Sequence, residues 1–573
     1  MSIEDIIQSQ TIERDQLKQK ILESKAPKKI IVAGPGTGKT YTFTEILSTS
    51  KGGNNLAMTF INLLKDDMES KLGACANVKT LHSYAIGVLH KIKGEFDLFP
   101  GLSSIIRDDF KMFGYKTSDY DEYFKNLKDI DFDQDQFHAR CEYYNAFSFD
   151  YALYLAYYSI KDGEYIPEPF DNIVIDEFQD FNLIEIAFVQ ELAAYGNILI
   201  VGDDDQTVYS QKGSSPKYIR EFYRSGEYKI FELPFCNRCP LPIVESTKNI
   251  IKKAIQNGYL KDRIDKRFEC FIGSKLLENE EYPTITYAQL KSASKLADYV
   301  KQEIDRITQR DIVESWGDDP YSTVLIVGRS QYLNKLQKEL KSRPNVSRKS
   351  SSKKEVNLTI NAYKCLTKNI KSNLGWRLLM ENFLPKPLVK DIIQKTSDNK
   401  TPIYNLLPDD FVDKHSRNSL LLKNNEQDGS DNDFVVSSLI QSGIPTDYIP
   451  SIRRTFLPSM QDVEDRTKPS IVLSSFEGCK GLSAGHVFIV GANNGVIPMD
   501  KNAITDDEIS KFIVALTRTK KKCYILSDKY FESPKDKAGN WIDAQTRSAL
   551  IDWIDPRYVT NMGIITAKDI NKP

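Results

Sequence analysis

Residues Lys28–Thr44, KKIIVAGPGTGKTYTFT, constrain this chain more than any other stretch. Ile30, Ile31 and Val32 are apolar and β-branched and predict a buried strand, and the run from Thr40 predicts a helix start. Between them lies a turn of Gly34, Pro35, Gly36, Thr37 and Gly38. Its glycines let backbone N–H groups, and the N-terminus of the helix that follows, point at an anion. Lys39 is placed to reach β- and γ-phosphates, and the Thr40 hydroxyl to ligate Mg²⁺. The strict form of such a loop opens with glycine, where this chain has Ala33. The fold class this predicts is α/β.

A chain of 573 residues exceeds a single core, so several domains are expected. Its 77 basic and 79 acidic residues leave a net charge of −2, which excludes a global basic field. Any nucleic-acid path must be a local groove. Eight cysteines over this length do not make a disulfide scaffold and point to a reducing compartment. Cys236-Asn-Arg-Cys239 has the spacing of half a zinc site, but no second Cys/His pair completes it. The N-terminal run MSIEDIIQSQTIERD lacks a basic-then-apolar signal, and no apolar run has the length of a membrane span. The expectation is a soluble, cytoplasmic protein without a membrane partner.

Residues 1–27 are polar and helix-prone, and Gln16 or Gln19 there is either a base-binding group or part of a solvated face. Strand-then-helix patterns recur at Asn54–Leu72 and Val78–Leu89, with Thr59, Asn62, Thr80 and His82 where parallel strands end. Residues 90–150 break the rhythm and read as a helical insertion. In FDNIVIDEFQD, Ile173–Ile175 form a strand that delivers Asp176 and Glu177 at its end. Such a pair suits Mg²⁺ binding by Asp176 and orientation or deprotonation of water by Glu177. NILIVGDDDQ adds another strand, ending either in a γ-phosphate sensor, Gln206, or in a surface turn of aspartates. Arg238 lies in the turn PFCNRCPLP.

A second α/β rhythm begins near residue 283, with strands at Thr284–Tyr287 and Thr323–Val327 and helices at Lys291–Ile307 and Gln331–Leu340. Lys341–Glu355 reads as a basic, Ser-rich linker, Leu358–Phe383 as helical, and Asn424–Asp433 as a mobile acidic loop. Strands at Ile471–Leu473, Val487–Val490 and Cys523–Leu526 close the pattern, with Arg518 at the end of a helix facing an interlobe cleft.

In this order, the stretches AGPGTGKT, MTFINLL, TLHSY, VIDEFQDF, VGDDDQTVY, LPFCNRCPLPIV, SFEGCKGLSAGHVFIVG and VALTRTK resemble the superfamily 1 helicases of the UvrD/Rep/PcrA type. The resemblance runs from about residue 33 to 520 and implies two RecA-like lobes with ATP between them. Each lobe carries an insertion, and single-stranded DNA lies across the top. The implied division is 1–89, 151–240, 241–355 and 467–573 for the lobes, with insertions at 90–150 and 356–466. Lys39, Thr40, Asp176 and Glu177 keep the roles argued above. By resemblance, Gln206 senses the γ-phosphate, Arg238 and Arg518 are arginine fingers, Gln16 reads the base, and Glu508 is an acid of the nucleotide site. Phe60, Asn62, His82, Tyr209 and Lys212 belong to the implied DNA path.

Three stretches depart from the family. Asn237 stands where an aromatic residue stacks on adenine, and Gln211-Lys212 where the DNA face has Trp-Arg. In SFEGCKGLS Glu477 replaces a DNA-facing histidine and Ser483 an acid that meets ribose. A carboxylate at 477 weakens DNA binding unless it points away. The implied activity is an ATP-dependent 3′ to 5′ helicase or translocase acting on single-stranded or tailed duplex DNA. The alternative is a nucleotide-switched DNA-binding subunit that regulates a separately encoded nuclease.

Overall fold

The computed structural model describes residues 2–49, 53–59, 65, 68–70, 72–127, 133–209, 213–317, 319–348, 354–428, 432–457, 464–532 and 544–565. Two parallel sheets organise it. The first has six strands in the order Asn77–Thr80, Asn55–Thr59, Phe170–Ile175, Gly196–Gly202, Lys28–Val32, Lys229–Phe231. Every neighbouring pair runs parallel, and the phosphate-loop strand is held between Gly196–Gly202 and Lys229–Phe231. Its alternate residues enter different cores. Ile30 and Val32 pack on one face with Leu56 and Ile173, while Ile31 packs on the other with Phe43 and Val174. Burial on both faces is why these strands read as unbroken apolar runs.

The second sheet has seven strands, in the order Val346–Arg348, Ile471–Ser474, Ser322–Val327, Ala484–Val490, Thr519–Tyr530, Ile285–Ser292, Val559–Ile565. All of its pairs are parallel too, and it is likewise buried on both faces. The α/β class and the two sheets agree with the expectation from sequence.

Helices Leu102–Phe113, Tyr120–Asn126, Gln134–Tyr144 and Phe149–Lys161 form one helical body, and those between Lys354 and Phe456 a second. Both share a continuous apolar core with the first sheet, running from Ile30 through Phe110 and Tyr144 to Trp376 and Ile452. Inside that core Asp109 accepts hydrogen bonds from Arg140 Nη2 (2.7 Å) on one oxygen and from Arg377 Nε (2.9 Å) on the other. Tyr144 donates a further hydrogen bond to Asp109, and Arg140 Nη1 donates to Thr396 O at 2.9 Å. The helices Leu81–Lys93, Phe149–Lys161 and Lys354–Lys368 run across the divisions expected after residues 89, 150 and 355.

Several local expectations change. Asn424–Asp433 is not a loop throughout, because the helix Asp409–Asp428 continues into it and another starts at Asn432. The basic segment Lys341–Glu355 contains an edge strand, Val346–Arg348, paired with Ile471–Leu473. Pairing with a buried neighbour outweighs the low strand propensity of its serines and lysines. Leu358–Phe383 is two helices, Lys354–Lys368 and Asn373–Phe383, the second capped by Ser372. The edge strands Lys229–Phe231 and Val559–Ile565 carry no distinct sequence pattern. No described helix is long and apolar enough to cross a membrane.

Candidate active site

The phosphate loop leaves the end of its strand and turns into the helix Lys39–Thr49. Gly36 and Gly38 have φ of +68° and +86°, in the left-handed region that glycine tolerates. Gly36 also permits close packing, since a Cβ there would stand 2.4 Å from Cβ of Arg238. Nothing lies within 4 Å of where a Cβ on Gly38 would be, so that side of the loop is open. Pro35 and Thr37 are buried, and Thr37 Oγ1 donates to Gly34 O at 2.9 Å. Lys39 Nζ donates to the carbonyls of Ala33 and Gly34, both at 3.0 Å, which bends the ammonium over the mouth of the loop. Thr40 is half-buried beside it.

Asp176 and Glu177 follow the strand Phe170–Ile175, two strands away across the sheet. Glu177 has φ of +53°, a strained conformation for a residue with a side chain, and its N–H donates to Asp176 Oδ1 at 2.9 Å. Glu177 Oε2 accepts from Gln179 Nε2 at 2.6 Å and lies 3.4 Å from Lys480 Nζ. Lys480 comes from the turn after Ile471–Ser474 of the second sheet. It also pairs with Asp180 at 2.5 Å and donates to Gln206 O at 2.8 Å.

Arg518 is buried at the end of the helix Asp506–Leu516, and its Nη2 donates to Gln206 Oε1 at 2.9 Å. Gln206 Nε2 in turn donates to Asp203 Oδ2 at 2.5 Å. Arg238 is half-buried over Gly36, and the Asn237 N–H donates to Gly36 O at 2.9 Å.

The electrostatics follow from this packing. Burial, then the neighbouring Glu177, pushes the Asp176 carboxyl up, with Lys39 and Lys480 opposing. Burial would raise Glu177 too, but Lys480, Lys39, the Gln179 hydrogen bond and Arg518 outweigh it and hold it ionised. Arg518 is lowered to about 10 by burial and by the charge of Arg238 beside it. Four cations and three carboxylates thus meet in one cleft, a surplus of positive charge suited to a polyanion.

Other expected residues lie elsewhere in the fold. Gln16 is exposed on the helix Ile3–Leu22. Glu508 is buried in a capping box: Oε1 accepts from Met499 N (2.6 Å) and Oε2 from Thr505 N (3.1 Å). That carboxylate caps a helix rather than facing the cleft with a free oxygen. His82 Nδ1 stands 3.7 Å from Glu185 Oε1, with its ring edge-on to Phe149. Tyr209 is half-buried, and its hydroxyl donates to Glu477 O at 3.2 Å. Phe60, Asn62 and Lys212 lie outside the described residues.

The aspartates after Gly202 do not form a surface turn. Lys266 Nζ reaches Asp203, Asp204 and Asp205 at 2.9, 2.6 and 2.7 Å, Arg220 pairs with Asp204, and Arg263 with Asp205. The Glu477 carboxylate is engaged by Lys511 Nζ at 2.8 Å, which answers its charge. Lys480 and Asp180 were missed as site residues. The only available signal was their place inside the quoted stretches CKGL and DEFQD.

Residues 111–227 match the family described as the UvrD/REP helicase N-terminal domain. A probable DNA helicase II homolog of Rickettsia felis is 25% identical over 351 residues, 52% of this chain and 51% of that protein. A probable DNA helicase II homolog of Mycoplasma pneumoniae is 26% identical over 409 residues, 62% of this chain and 54% of the relative. The putative ATP-dependent DNA helicase YjcD of Bacillus subtilis is 40% identical over 95 residues, 16% of this chain and 12% of the relative. The chain spans about half the length of the first two. Two parallel-stranded lobes with a phosphate loop, an Asp-Glu pair and arginines converging between them accord with these matches: the chain is similar to the UvrD-like superfamily 1 helicases.

Proposed function

We propose that this protein is an ATP-dependent DNA helicase or single-stranded DNA translocase, moving 3′ to 5′, that hydrolyses ATP between its two lobes. The reading is carried by the hydrogen bond from Arg518 of the second lobe to Gln206 of the first, beside Lys480 and Glu177. A hydrolytic set divided in this way is complete only while the lobes are together.

The amides of the phosphate loop and Lys39 would bind the triphosphate, an arrangement the open face at Gly38 accommodates. Thr40 and Asp176 would hold Mg²⁺, which when bound screens phosphate charge. Glu177, held ionised by its cations, orients and deprotonates the attacking water. Gln206 positions that water, and Arg238 and Arg518 neutralise the charge that develops, an effect worth about 10³–10⁵ in rate for arginine fingers. Two adjacent guanidinium groups repel unless an anion lies between them, which would couple nucleotide state to lobe separation. His82 and Tyr209, with Phe60, Asn62 and Lys212, are assigned to the DNA path. The names of the relatives support DNA as the substrate.

The test is ATP hydrolysis with and without short single-stranded DNA, using Glu177→Gln as the blank, followed by strand separation on 3′- and 5′-tailed duplexes. DNA-stimulated turnover and unwinding from the 3′ tail are expected. DNA-independent turnover, or wild-type turnover in Glu177→Gln, would overturn the reading.

A further inference from the structure

Five of the eight cysteines, Cys236, Cys239, Cys270, Cys479 and Cys523, are buried in one apolar cluster, and all eight are free thiols. A buried cysteine is ordinarily a small hydrophobe. Two of these are placed differently. Cys236 ends the short strand Phe235–Cys236, Cys239 precedes the helix Leu241–Gln256, and the turn between them carries Arg238. The turn folds back so that the Cys239 N–H donates to Cys236 Sγ at 3.4 Å.

The surroundings join this pair to both halves of the cleft. Cys236 Sγ packs on the phosphate loop, 3.2 Å from where a Cβ on Gly36 would stand. Cys239 Sγ donates to the carbonyl of Thr517 at 3.4 Å, one residue before Arg518. The dithiol therefore brackets one arginine finger and touches the backbone next to the other.

We propose that Cys236 and Cys239 are a redox-active dithiol, a modification site at which peroxide forms an intramolecular disulfide that switches off the cleft. The proposal rests on the hydrolytic reading above only for its consequence, not for the chemistry. The Cys236 thiolate attacks one peroxide oxygen, giving a sulfenic acid and hydroxide. The Cys239 thiol then displaces water from that sulfenic acid, forming the S–S bond, so two electrons pass from the two thiols to one peroxide.

The thiols are unlike in a way that suits these roles. Burial alone raises Cys236, but hydrogen bonds from Cys239 and from the backbone N–H groups, with the Arg238 charge, outweigh it and bring it below the ordinary thiol value. Burial, reinforced by Cys236, keeps Cys239 protonated as the resolving thiol. Joining the sulfurs ends the Cys239–Thr517 contact and re-sets the turn that seats Arg238 on Gly36. Gly36 belongs to the first lobe and Thr517 to the second, so parting of the lobes admits peroxide and closure on nucleotide excludes it.

The test treats the full chain with hydrogen peroxide, with and without a non-hydrolysable ATP analogue, then quenches with iodoacetamide for peptide mass analysis. A Cys236–Cys239 disulfide is expected, forming more slowly with the analogue. Hydrolysis is expected to fall by about 10²-fold, the scale for an ~1 Å misplacement of a catalytic group, and to return with dithiothreitol. Cys239→Ser, referenced to its own activity before treatment, is expected to form no such disulfide. Both thiols remaining alkylatable after peroxide would overturn the proposal whether or not the protein hydrolyses ATP. A disulfide that leaves hydrolysis unchanged would overturn the switch. Equal reversible inactivation of wild type and Cys239→Ser would place the sensitive thiol elsewhere and overturn the site.

Discussion

The cleft between the lobes and the junction between the helical bodies are both buried ionic clusters, but they are balanced differently. At the junction Asp109 faces Arg140 and Arg377, Glu381 takes the far side of Arg377, and Tyr144, Thr396 and Asn399 bond to Asp109 or Arg140, leaving Arg377 Nη2 as the one guanidinium nitrogen of the pair buried without a hydrogen bond among the described residues. In the cleft Lys480 pairs with two carboxylates, whereas Lys39 donates its hydrogen bonds to carbonyls and the charge of Arg238 opposes that of Arg518. Charge satisfied by protein groups locks an interface. Charge left in surplus prepares one for a ligand. A third case lies nearby: Glu185 is buried with His82 Nδ1 3.7 Å from its Oε1, and it is pushed up to about 8 by burial, with Asp150 and Asp180 adding to it and the Asn182 N–H and Lys125 opposing.

The largest expected effect tests the surplus. Arg518→Ala should cut hydrolysis by about 10³-fold or more while leaving the melting temperature within a few degrees. It removes a cation already opposed by Arg238. A large fall in melting temperature would show that the cleft is a structural lock like the junction. Next, Asp109→Ala should cost about 3–5 kcal/mol in urea unfolding, because it strands two buried guanidinium groups. Proteolysis should then cleave between the helical bodies first. An unchanged unfolding midpoint would remove the distinction between the two clusters.

The smallest effect concerns Glu185. Its folded pKa lies above its ordinary 4.5, so the folded state keeps a proton that the unfolded chain releases. The stability this gives is full below about 4.5 and is lost as pH rises through about 8. Glu185→Gln keeps an oxygen to accept from the Asn182 N–H (2.7 Å in the native cap) and should flatten that slope. A gain on the order of 1–3 kcal/mol at pH 8 and none at pH 4 is expected. Parallel curves for the two proteins would show that the Glu185 carboxyl is not held protonated by the fold.

Much of this was legible in order along the chain. Ile30–Val32, Ile173–Ile175 and Ile198–Val201 are short apolar runs followed within a few residues by glycine or aspartate, and that pattern marks strand ends in a parallel sheet. The polarity of the acidic run Asn424–Asp433 reads as a loop, but tertiary packing overrides it at both ends. The helix Asp409–Asp428 is carried into it by Phe411 and Leu422, which pack on the helical core. Glu508 shows the opposite limit: a carboxylate at a meaningful spacing is consumed by its own helix cap.

By itself the sequence determined the phosphate loop, the Asp176–Glu177 pair and the alternation of strands and helices. These depend on backbone conformations and burial patterns set within a dozen residues. Only the tertiary structure decided that Lys480 meets Asp180, that Lys266 bridges three aspartates, that Lys511 takes the charge of Glu477, and that Asp109 joins the two helical bodies. The partners in three of these four contacts lie more than sixty residues apart in the chain. The cost of burying a charge is set by whichever groups the fold brings to it, and no local pattern carries that information.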